Sequence, residues 1–166
     1  MKKLAVFVDV QNIYYTVKQH YGCHFNYSAL WRQLEQGLDE PYEIVLANAY
    51  AIARNDPRQQ VFQQILRDIG FEVKLKPYIQ RADGSAKGDW DVGITIDVMD
   101  AVAGRELQID RVVLLSGDGD FDLLLKRIKQ GHGVNSTVYA VSALTATSLI
   151  DAATEFRPIE ESLLLR

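Results

Sequence analysis

The segment Leu114-Leu115-Ser116-Gly117-Asp118-Gly119-Asp120-Phe121 sets the architecture of this chain. An apolar run through Val112 to Leu115 stops abruptly at Ser-Gly-Asp-Gly-Asp, and an apolar pattern of helical spacing follows. That grammar reads as a buried strand, a tight turn and a helix start. The same grammar opens the chain. Leu4-Ala5-Val6-Phe7-Val8 ends in Asp9, and Asn12 leads into the next helical pattern. If the two strands are neighbours, Asp9, Asp118 and Asp120 converge at one edge of a sheet.

Working outward, strands and helices alternate along the whole sequence. The continuous apolar run at Leu4–Val8 is the mark of a strand buried on both faces, as in parallel sheets, and strands are also expected over 43–52 and 110–115. Helical spacing is expected over 12–20, 29–36 with Ser28 as cap, 57–69, 89–103, 121–130 and 145–153. The alternating stretch from Phe71 to Ile79, which contains Pro77, reads as a strand at or near an edge. Residues 81–88 form a polar loop, 137–141 a strand and 156–159 a short last strand. The 89–103 helix is apolar on two adjoining stripes, Val92, Ile96, Met99 and Ala103 beside Ile94, Val98 and Val102, and is expected to be well buried. The pattern predicts an α/β protein with a mostly parallel central sheet covered on both faces. A single domain over 1–160 is expected, followed by an apolar tail, 161–166, that packs on the domain or on a partner. In such sheets ligands bind beyond the carboxyl ends of the strands, where strand order reverses. Asp9 and Asp118 both occupy strand carboxyl ends.

Composition narrows the classes. With 166 residues, 48% hydrophobic and 24% charged, the chain is of ordinary globular make-up. No apolar run reaches the roughly 18 residues of a membrane span. The apolar segment after Met1-Lys2-Lys3 is too short for a signal peptide. One cysteine, Cys23, excludes an internal disulfide and fits a reducing, cytoplasmic setting. The formal charge of −4 argues against a broadly basic nucleic-acid-binding surface, unless bound cations offset several of the acids.

Asp9, Asp118 and Asp120 each suit a helix cap when taken singly. As a group they crowd one turn together with Ser116, and adjacent carboxylates repel unless a proton or a cation intervenes. A hard divalent ion such as Mg²⁺ takes oxygen ligands and keeps waters. Asp91 is the fourth candidate and Asp89 its rival, both near a helix start where a carboxylate is favourable anyway. Asp97 lies about 120° around the helix from Asp91 and is assigned a structural role. Lys87 is either a solvated loop lysine or a phosphate contact. Asn12 and Ser116 either cap helices or orient a water or phosphate oxygen. His20, Cys23 and His24 lack the fourth ligand of a zinc site. Gly117-Asp118-Gly119 lacks the third glycine of a nucleotide fingerprint, and the chain contains no P-loop. Asp9-Val10-Gln11 lacks the second aspartate of a phosphoaspartate phosphatase.

Three blocks, Phe7-Val8-Asp9-Val10-Gln11-Asn12, Lys87-Gly88-Asp89-Trp90-Asp91-Val92 and Ser116-Gly117-Asp118-Gly119-Asp120-Phe121, resemble in order the signature blocks of the NYN domain family. The similarity is to the LabA-like branch of that family, within the PIN-like superfamily. The resemblance implies a PIN-like three-layer α/β/α sandwich and metal-dependent endoribonuclease chemistry. It implies Asp9, Asp91, Asp118 and Asp120 as the acidic, metal-holding set, with Mg²⁺ or Mn²⁺. Asn12 and Lys87 would be the polar and basic neighbours, and single-stranded or structured RNA the partner. The middle block has one residue more between Lys87 and Asp91 than the usual form, so Asp89 stays in play. A non-catalytic regulator or scaffold on the same fold is the alternative. A phosphatase or nucleotide hydrolase using the same acids is a weaker one. Membrane association is not expected, and homo-oligomerisation is left open.

Overall fold

The computed structural model describes residues 1–77, 79–80, 86–87 and 89–166, without the side chains of 77, 79, 80, 86 and 87. Its centre is a six-stranded sheet in which every neighbouring pair is parallel. The strands are β1 (Lys2–Asp9), β3 (Tyr42–Ala53), β4 (Glu72–Pro77), β7 (Arg111–Leu115), β8 (Asn135–Ala140) and β9 (Glu155–Pro158), in the order β4-β3-β1-β7-β8-β9. Order runs outward from β1 through β3 to β4 on one side and from β7 through β8 to β9 on the other. The reversal therefore falls between β1 and β7. Their register pairs Val8 with Leu115, so Asp9 and Ser116 leave the sheet side by side. β4 is an edge strand, as its alternation predicts.

β1 shows why the sheet has helices on both faces. Successive side chains of a strand point to opposite sides. Leu4, Val6 and Val8 pack with Ile13 and Val17 of α1 (Val10–Tyr21), Leu30 and Leu34 of α2 (Tyr27–Gln36) and Leu66 of α3 (Pro57–Ile69). Ala5 and Phe7 pack with Ile94 and Val98 of α4 (Asp91–Ala103), Leu124 and Ile128 of α5 (Asp122–His132) and Leu149 of α6 (Thr147–Ala152). Each buried aliphatic side chain contributes about 1.5–3 kcal/mol of transfer free energy. The result is the three-layer α/β/α, PIN-like arrangement.

Several local expectations shift for physical reasons. α1 begins at Val10, because Asp9 itself caps it by accepting from Asn12 N–H at 3.4 Å. α2 is capped by Asn26, which accepts from Ala29 N–H at 3.0 Å, and Ser28 sits inside the first turn. α4 starts at Asp91, two residues later than its pattern suggests. It is also less buried than expected: Ile94 and Val98 are fully covered, whereas Val92 is 70% and Ile96 53% exposed. One stripe meets the sheet and the other faces outward. Arg111, in the middle of an apolar run, is buried at the amino end of β7. Its guanidinium donates to Tyr42 Oη at 3.0 Å and Thr137 Oγ1 at 2.8 Å.

The tail packs on the rest of the chain. Leu163 and Leu164 are buried, and β10 (Leu164–Leu165) pairs antiparallel with β2 (His24–Phe25). Between β4 and α4, β5 (Ile79–Gln80) and β6 (Ala86–Lys87) form a short antiparallel ribbon. No described helix is long and apolar enough to cross a membrane.

Candidate active site

The carboxyl ends of β1 and β7 are stitched together by polar side chains. Ser116, fully buried, donates its hydroxyl to Asp9 Oδ2 at 3.2 Å and accepts from Asp118 N–H at 3.2 Å. Asn12 Oδ1 accepts from Gly117 N–H at 2.9 Å. Asp118 Oδ1 accepts from Asp120 N–H at 2.9 Å and caps the short 3₁₀ turn Gly119–Phe121 that precedes α5. Asn12 and Ser116 thus brace the turn that presents Asp118.

The glycines of that turn are required by close approach. A Cβ on Gly119 would lie 2.8 Å from Ala146 Cβ, and one on Gly117 would lie 3.0 Å from Thr145 Oγ1 and 3.2 Å from Leu144 O. The 144–146 segment backs directly onto the Ser-Gly-Asp-Gly-Asp turn.

Asp91 reaches the site from the start of α4, which is docked by Trp90. The indole N–H donates to Ala51 O at 2.8 Å, and the ring packs edge-on to Tyr50 at 5.2 Å. Gly93 makes this possible, since a Cβ there would lie 2.5 Å from the Trp90 ring. Asp89 accepts from Asp91 N–H at 3.4 Å, while Asp91 itself joins the acidic group. Asp97 lies apart, accepting from Tyr50 Oη at 2.8 Å and Lys74 Nζ at 2.9 Å, a structural network between α4, β3 and β4.

Asp91, Asp118 and Asp120 each offer a carboxylate oxygen, and these oxygens all lie within 4.8 Å of one another. Asp9 is not within that triplet. It is 8% exposed and shares with Asp89, Asp91 and Asp118 the lining of a cavity of about 250 Å³. Gln11, Asn12, Tyr15 and Thr16 complete that lining. Gln11 and Thr16 escaped the reading of the sequence. The available signal was their place on the α1 face that also carries Asn12. The Lys87 side chain lies outside the described residues, as do Tyr78, a ring that could stack a base, and Arg81, a loop cation that could grip RNA.

The electrostatics follow from this crowding. Burial pushes the Asp9 carboxyl up from an ordinary 3.8 to about 6, against the hydrogen bonds from Asn12 N–H and Ser116, with the Asp118 and Asp89 charges adding to the rise. Burial and then the adjoining Asp118 carboxyl push Asp91 up to about 7, helped by Asp9 and Asp89. Near neutral pH the group holds onto a proton unless a cation balances it. The donor set is entirely anionic oxygen, from side chains braced by backbone contacts, and this suits a hard divalent cation.

Fold and site together place the chain in a family. It belongs to the NYN domain family, whose model matches residues 3–160. It is 32% identical over 164 residues to the low amplitude and bright protein LabA of Synechococcus elongatus, covering 93% of this chain and 82% of that protein. A crystal structure of a protein of unknown function from Vibrio parahaemolyticus is 51% identical and superimposes with a TM-score of 0.88, covering 99% of this chain and 96% of that one.

Proposed function

We propose that this protein is a metal-dependent endoribonuclease acting at the edge formed by β1, β7 and the start of α4. The observation that carries the reading is the Asp91, Asp118 and Asp120 triplet, with oxygens within 4.8 Å of one another, at the strand-order reversal. NYN domains are generally nucleases, which supports hydrolase chemistry and RNA as the substrate class. Asp91, Asp118 and Asp120 supply ligand oxygens for Mg²⁺ or Mn²⁺. When bound, such a cation polarises a phosphoryl oxygen and acidifies a coordinated water. Asp9 contributes negative charge from the side of the cavity, held in place by Ser116 and by Asn12 N–H. Asn12 and Ser116 position the turn that carries Asp118 and Asp120, and Lys87 meets phosphate charge.

The test is cleavage of end-labelled single-stranded RNA by the wild type with Mn²⁺, by the wild type with EDTA, and by Asp118→Asn purified identically. Metal-dependent cutting that disappears in the variant, with an unchanged circular dichroism spectrum, is expected. Equal cutting by both proteins overturns the assignment. A second reading, a non-catalytic regulator on this fold, is favoured by the outward apolar stripe of α4, where Val92 is 70% and Ile96 53% exposed. Metal binding by calorimetry without turnover supports that reading over the first.

A further inference from the structure

A second cavity, of about 690 Å³, opens beside the acidic one. Gln11 and Tyr15 line both, so the first turns of α1 form the partition between them. The volume is that of a small-molecule pocket, commonly about 300–1,000 Å³. Its inner wall is apolar and aromatic, built from Tyr27 and Phe62, and the β2–β10 ribbon closes one side through Phe25 and Leu165.

Its charge differs from that of its neighbour. Lys18, Arg54 and Arg58 line it with one acid, Asp56, in a protein whose formal charge is −4. The Arg58 side chain is 95% exposed, and its Nε lies 3.8 Å from Asp56 Oδ1, a long ion-pair contact. Tyr15 is half exposed and is the one aromatic ring common to both cavities. A flat aromatic platform beside cations is the usual means of holding a base and its backbone phosphate.

We infer that this second cavity is a nucleotide subsite. It takes one unstacked base against Tyr15 and the adjoining phosphate at Lys18 and Arg58, while the next phosphodiester of the same strand lies at Asp91 and Asp118. The inference rests on the ribonuclease reading for the placement of that scissile phosphate. The occupant is RNA rather than a peptide or a lipid because the cavity adjoins the acidic site across a single helix, and because its cations offset the phosphate charge that the acids repel.

The experiment separates binding from cleavage. Affinity for a short fluorescein-labelled single-stranded RNA is measured by anisotropy in EDTA, with the full chain as wild type, Tyr15→Ala, Tyr15→Phe and Arg58→Glu. Arg58 lines only the second cavity, so its variant localises the effect. Tyr15→Ala is expected to weaken binding about 10-fold and Tyr15→Phe to restore it, as loss and return of one base stack require. Arg58→Glu is expected to weaken binding and to flatten its salt dependence by at least about 0.7 in log–log slope, one phosphate contact on a single strand. Both side chains are surface groups, and unchanged melting curves show that the variants fold. Unchanged affinity in Tyr15→Ala or in Arg58→Glu overturns the subsite, as does absence of RNA binding by the wild type. Parallel cleavage in Mn²⁺ reports the other reading separately: cutting without Tyr15-dependent binding sinks the subsite alone, and Tyr15- and Arg58-dependent binding without cutting supports it while sinking the catalytic assignment.

Discussion

Ser116 and Asp9 meet across the β1–β7 seam at 3.2 Å, with the Ser116 hydroxyl donating to Asp9 Oδ2 while its Oγ accepts from Asp118 N–H. One fully buried hydroxyl therefore ties the first acid to the turn that carries the others. Ser116→Ala leaves a buried carboxylate oxygen and a backbone N–H without that partner, at a cost of about 1–3 kcal/mol. It also removes a hydrogen bond that holds the Asp9 carboxyl down. Urea denaturation should show the loss of stability, and calorimetry a weaker affinity for Mn²⁺.

Stability should fall as pH rises in the metal-free protein. Asp9 and Asp91 both have folded-state values, about 6 and about 7, above the ordinary 3.8. Between pH 3.8 and those values the unfolded chain has released protons that the folded chain still binds, so rising pH favours unfolding. At Asp9, only 8% exposed, the gap corresponds to about 3 kcal/mol. Urea titrations in EDTA at pH 5 and pH 8 should show the decrease, and Asp9→Asn should flatten it. A rise in stability over that range in the wild type would contradict the crowding of these acids.

Divalent metal should reverse that loss. Protons compete with the cation for the same oxygens, so Mn²⁺ should raise the melting temperature at pH 8 far more than at pH 5. In Asp91→Asn the shift should largely disappear. An equal shift in the variant would remove Asp91 from the ligand set.

Gly119→Ala should damage the site through packing. The added methyl would meet Ala146 Cβ at 2.8 Å, closer than carbon atoms tolerate. Displacement of the turn should cost about 1–3 kcal/mol and weaken Mn²⁺ binding. Combining it with Ala146→Gly removes the clash and should restore metal affinity. Calorimetry on the single and double variants measures this directly.

Leu163→Ala tests the tail. Leu163 is 3% exposed and lies in the same core cluster as Ile13, Leu30 and Leu34. Truncation should cost about 2–5 kcal/mol. Chemical denaturation should record a lower midpoint, while metal binding at low temperature remains, because the acidic group lies on other elements.

Much of the site was visible in local patterns. An apolar run that stops at Asp9, and another that stops at Ser-Gly-Asp-Gly-Asp, identify strand ends without any knowledge of packing. Alternation of strand and helix then implies a parallel sheet, and the handedness of such connections places the first strand beside the reversal. The periodicity of α3, from Pro57 to the glycine at 70 with a φ of 137°, and the edge position of β4 were similarly legible.

What remained hidden depends on distance between segments far apart in the chain. Asp89 and Asp91 are equivalent as sequence. The docking of Trp90 on Ala51 O, with Gly93 beneath the ring, brings Asp91 into the triplet and leaves Asp89 outside it, accepting from Asp91 N–H. The two apolar stripes of α4 look alike, and the sheet can cover only one of them. The second cavity needs α1, α3 and the β2–β10 ribbon at once, and the partner of Leu164 lies at Phe25. Periodicity and turn chemistry act over a few residues and so are written in local sequence. Which side chains share a wall is set by how whole layers pack, and that is decided only in the folded chain.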